Sequence, residues 1–83
     1  MFRRFASPMD TYAKVSDMAE KIQAMVEQGS NIIERDKEIK TEMMENSSIR
    51  SLKKQIDSDL YDIYEMAKNL EKKCNLIQRS MKG

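Results

Sequence analysis

Ile49, Ile56, Ile63, Leu70 and Ile77 stand seven residues apart in a stretch, Asn46 to Met81, that contains neither glycine nor proline. Seven residues are nearly two turns of α-helix, so an unbroken aliphatic column at that spacing marks a long helix with an apolar seam. A second seam precedes it. Val15, Met18, Ile22, Met25, Ile32, Ile39 and Met43 recur at spacings of three and four, interrupted only at Gly29 and Asp36. Written as heptads, the first segment has Val15, Ile22, Gly29, Asp36 and Met43 at a, with Met18, Met25, Ile32 and Ile39 at d.

The ends of these segments are marked by capping residues. Ser7 followed by Pro8, with Asp10 behind, reads as an N-cap, a proline at the first helical position and an acid in the first turn. Asn46, Ser47 and Ser48 break the pattern with side chains that compete for backbone hydrogen bonds and favour turns and caps. Lys68, Lys72, Lys73, Arg79 and Lys82 load the last turns, as the helix dipole favours. The chain is thus predicted to be all-α. Residues 1–7 form a short arm and residues 8–83 an antiparallel helical hairpin, a two-helix coiled coil with helices 8–45 and 49–82 joined by a turn at 46–48. Such a hairpin is expected to oligomerise or to pack on partner helices. The alternative is a three-helix bundle with a break at Gly29-Ser30, where Asn31 and Glu34 would make a capping box. Against that break, the heptad phase runs through Gly29 without a slip.

Folding the chain at Asn46 to Ser48 predicts apolar layers that match Met43 with Leu52, Ile39 with Ile56, Ile32 with Ile63, Met25 with Leu70 and Met18 with Ile77. Gly29 then faces Met66. Near the turn, Glu38, Glu42 and Glu45 are expected opposite Arg50, Lys53 and Lys54. One layer fits badly, since Asp36 meets Asp59. That layer implies a splay of the helices, entry of a partner's cation, or two carboxylates reaching water while Leu60 fills the space.

With 83 residues, a core formed within one chain is marginal, and small natural proteins supplement it with disulfides, a metal or association. One cysteine and no histidine exclude an intrachain disulfide and an ordinary zinc site, so association remains. The net charge of +1 argues against a dominant nucleic-acid or anionic-membrane role, although residues 47–83 carry eight basic and five acidic side chains. No glycine-rich phosphate loop, cysteine pair or nucleophile motif is present, so no catalytic residue, cofactor or small-molecule substrate is expected. The acids interleave with Lys and Arg at helical spacing, as solvated helix faces require. No apolar run reaches the roughly 18 residues of a membrane span, and no secretory apolar stretch follows the start. These features point to a reducing, cytoplasmic location. Met1 to Ser7, Arg-rich and acid-free, has the character of a mitochondrial presequence but far less than its length.

Beside the seam runs another column, at the e positions. It includes Val26 and Ile33 in the first helix and Leu60, Ala67, Cys74 and Met81 in the second. A hairpin has one internal interface, so these residues are expected to be left for a partner protein. Tyr61 and Tyr64, on outward-leaning positions with Lys68 nearby, extend that expected contact surface. Cys74 is read as a small apolar residue rather than a reactive thiol. Eight methionines suit adaptable helix packing, and half of them fill the seam. The functional expectation is a non-enzymatic interaction or assembly module, an adaptor or oligomer subunit acting through helix packing. In size and architecture the chain also resembles the helical hairpins of type III secretion, needle subunits and their chaperones, with no shared motif. A third expectation is a peripheral membrane or nucleic-acid binder using the basic C-terminal third.

Overall fold

A computed structural model describes residues 8–82 of the chain, so the arm at 1–7 and its expected Ser7 cap lie outside the described residues. The described residues are all-helical. They form α1, Pro8–Arg35, α2, Lys37–Glu45, and α3, Ser47–Lys82, with no strand among them. α1 passes through Gly29 without interruption, and the break falls seven residues later, at Asp36.

Asp36 stands in extended backbone at φ −80° and ψ 99°. Its Oδ1 accepts the N–H groups of Glu38 and Ile39 at 3.1 and 3.3 Å, so the side chain satisfies donors that a helix start leaves unpaired. Its own N–H donates to the Ile33 carbonyl at 3.1 Å. The expected continuous helix over 8–45 is therefore corrected to two. The residue that fitted the a column worst is a cap, and Asp36 and Asp59 are both exposed to solvent.

Asn46 carries the reversal almost alone. Its N–H donates to the Glu42 carbonyl at 2.9 Å, closing α2, while its Oδ1 accepts from the N–H groups of Ser48 and Ile49 at 2.9 and 3.3 Å, opening α3. The expected three-residue turn contracts to one residue, because Asn46 serves as C-cap and N-cap together. The Arg50 guanidinium donates to the Met43 carbonyl at 2.7 Å across the junction. Lys53 pairs with Asp57 on its own helix at 2.6 Å rather than with the glutamates of α2.

α3 runs back along α1, and α2 packs on the first turns of α3. The body measures 58 × 26 × 18 Å, with a radius of gyration of 18.6 Å against about 12 Å for a compact globule of this length. An elongated layer of this kind has little interior. The buried residues are Ser16, Ala19, Ala67 and Cys74, all small, and no large side chain among the described residues is fully buried.

The inner interface is therefore not the expected one. Ser16 Oγ donates to Asn75 Oδ1 at 3.5 Å, Gln23 Nε2 to Glu71 Oε1 at 2.9 Å, and Gln78 Nε2 to the Met9 carbonyl at 3.4 Å. These contacts displace α3 against α1 from the expected layers by one residue at Gln23, four at Ser16 and eight at Met9, about one helical turn on average, and rotate the e column inward. Met18, Met25 and Ile32, expected in the seam, stand exposed. The physical reason is the size of the side chains. Ala19 at 0% exposure, with Ala67 and Cys74, occupies the contact between the helices, and side chains this small permit a closer approach than a Met-on-Leu seam would.

A candidate interaction face

Rolling the helices onto their small residues leaves eight of the larger apolar residues on one side of the layer. From α1 that side presents Met18, Met25 and Ile32, one heptad apart. From α3 it presents Leu52, Ile56, Ile63, Met66 and Leu70, and exposure reaches 67% at Met25 and 71% at Met66. Two apolar grooves lie on this side. The first, near the reversal, is lined by Ile32, Ile39, Ile49, Leu52 and Ile56. The second, at mid-length, is lined by Ile22, Ile63, Met66, Leu70 and the stem of Lys73. The aliphatic column of α3 flanks both grooves, half outside rather than central to a seam.

The opposite side is different in chemistry. Its groove brings Val26, Ile33, Tyr61 and Tyr64 together among Glu27, Glu34 and Glu65. The Lys68 ammonium sits 5.6 Å from the Tyr64 ring centroid, within cation–π range, and 3.9 Å from Glu65. Four of the eight residues expected at a partner surface thus share one polar-rimmed groove. Leu60 is half-buried, and Met81 is exposed at the far end of α3. Ala67 and Cys74, at 4% and 3% exposure, are covered by α1. Of the column read as spare, Ala67 and Cys74 are the residues the chain buries in its own contact. Sequence reasoning missed Met18, Met25, Ile32 and Met66 as exposed residues, and the signal available was the column of small residues that competes with them for the inner face.

The polar edge of the α1–α3 contact holds a carboxyl pair. Glu71 accepts from Gln23 and also hydrogen-bonds the Glu20 carboxyl. That hydrogen bond, then the charge of Glu71, then modest desolvation and the charge of Asp17, hold the Glu20 carboxyl above the usual carboxylate range. Two acids sharing a proton also occur in catalytic dyads, but this pair is open to solvent and lies in neither apolar groove. Among the described residues no cluster of three or more His, Cys, Asp or Glu is placed to hold a metal ion, and no helix is long and apolar enough to cross a membrane. Comparison with known proteins finds no matching family model, no matching curated protein and no matching solved structure.

Proposed function

We propose that this chain is a non-enzymatic assembly module, a helical hairpin that works by packing its exposed apolar side against other helices. One observation carries the reading: large apolar side chains stand exposed along a side two helices wide, while the internal contact is made by small ones. Contiguous exposed apolar surface beyond a few hundred Å² is rare on soluble monomers and marks an interaction site. Methionine at its centre suits the task, since the thioether side chain adapts to whatever packs on it. The partner surface expected at the e column accordingly moves to the side bearing Met25 and Met66.

The test is the size of the chain's native complex in a cell extract, followed by gel filtration and detection of the chain itself. The wild-type chain should elute well above monomer size. The Met25→Glu/Met66→Glu double variant, altered at exposed positions only, should elute as monomer. A wild-type monomer, or a double variant that keeps the larger size, overturns the reading.

A further inference from the structure

We infer that the occupant of the apolar side is a second copy of this chain, stacked on the first by a two-fold axis that passes beside Met25 and Met66 and crosses the helices at right angles. This rests on the assembly reading above and names its partner. The first argument is area. The eight side chains named above, at roughly 100 Å² of exposed surface apiece, present on the order of 800 Å², the share that each partner contributes to a standard stable interface. A side two helices wide is covered by another two-helix layer, whereas a single helix would fill one groove. The product is a four-helix bundle.

The second argument is register. The α1–α3 contacts Met9 with Gln78, Ser16 with Asn75 and Gln23 with Glu71 differ by a few residues in the register they imply, and their mean, which is that of Ser16 with Asn75, sets Met25 level with Met66. A crosswise axis at that level sets Met25 on Met25 and Met66 on Met66 of the second copy. Met18 then lies over Ile32 of the second copy, and Ile63 and Ile56 lie near its Leu70 and Ile77.

The third argument is charge. The exposed column of α3 that includes Leu52 and Met66 also carries Asp59 and Lys73, one heptad to each side of Met66. Neither takes part in an ion pair among the described residues. The crosswise axis sets Asp59 against Lys73 of the second copy, twice over. The competing two-fold, running lengthwise, would lay α1 on α3 of the second copy and set Lys73 over Met18 and Asp59 over Ile32. That arrangement strips water from four charges with nothing to pair them. Opposite charges on opposite sides of one methionine thus select the crosswise axis.

The experiment uses the purified full chain. Sedimentation should give a dimer. Asp59→Lys alone and Lys73→Asp alone should each weaken dimerisation by tenfold or more, and the double swap should return it to within a few-fold of wild type. Met66→Cys should cross-link to itself under mild oxidation, with the disulfide mapped to position 66 in both chains. A monomer at all concentrations overturns the second copy, while a larger complex in extracts would still leave the assembly reading standing. A dimer in which the swap does not rescue, or in which Met66→Cys joins only to Met25→Cys in a mixture of the two variants, overturns the crosswise axis.

Discussion

Gln23 and Glu20, one turn apart on α1, both hydrogen-bond the same carboxylate, Glu71 of α3, and the Gln23 amide does so at 2.9 Å. The first bond costs little at any pH. The second works only while a proton is shared. A carboxyl whose pKa is raised in the folded state binds its proton more tightly there than in the unfolded chain. Its contribution is fully present below the ordinary glutamate value of 4.5 and declines as pH rises through and beyond it. Glu20→Gln keeps a hydrogen-bond donor toward Glu71 and removes the repulsion. The variant should melt at a higher temperature than wild type at neutral pH, and the difference should vanish in acid. Because Glu20 is open to solvent, the gain should be small and should shrink further with added salt. A thermal melt series across pH and ionic strength checks all three statements.

Gly29 offers a cleaner stability test. It lies inside α1, and a Cβ built on it meets nothing within 4 Å. Glycine in a helix interior carries excess unfolded-state entropy, so Gly29→Ala should stabilise the chain by roughly 0.5–1 kcal/mol. Were Gly29 a helix terminus in left-handed backbone, as the three-helix alternative requires, the same substitution would destabilise. Urea unfolding of the two proteins separates the cases by sign.

The all-helical class was legible because the helical period is sustained over both long segments, and the reversal was legible because Asn46 is followed by two serines. Passage of the helix through Gly29 followed from the unbroken heptad phase. The orientation of the seam did not follow. A heptad pattern states that an apolar stripe exists and how wide it is, but not which edge of the stripe turns inward. Reading by side-chain size placed Met18 and Met25 inside. The small residues Ala19, Ala67 and Cys74 took the inner face instead, since small side chains let two helices pack closely. Asp36 was misread for a related reason: counted as a heptad position, it was an anomaly, whereas counted as a cap with Glu38 in the following turn it is ordinary.

Asn46 joins two helix ends, and since α2 is closed by its backbone N–H, which alanine keeps, truncating the side chain should cost about as much as the loss of one N-cap. Asn46→Ala removes the acceptor for the Ser48 and Ile49 N–H groups, and a cap of this type is worth about 1 kcal/mol, up to about 2. Asn46→Gly retains the backbone freedom and should cost only a few tenths of a kcal/mol. Chemical denaturation should therefore rank the proteins wild type, Asn46→Gly, Asn46→Ala in falling stability. Equal stability of all three would mean that the reversal is held by packing of α2 on α3 rather than by this side chain.

The inside-out arrangement of the stripe is itself testable, by comparing neighbours on α1. Ala19 is wholly covered by α3, and Met18, the preceding residue, is 59% exposed. Ala19→Leu forces three further carbons into a contact that has no room for them, which costs about 1–3 kcal/mol and pushes the helices apart. Met18→Leu changes an exposed side chain for one of similar volume and should move the stability of the monomer by less than about 0.5 kcal/mol. If the larger residues formed the inner seam, the ranking would invert: Ala19→Leu would be tolerated at a flank, and Met18 would be the sensitive position. Cys74 gives an independent readout in the same experiment, because its free thiol is buried against α1. Alkylation of Cys74 should be slow in the folded wild type and in Met18→Leu, and fast in Ala19→Leu, where the overpacked contact opens beside it.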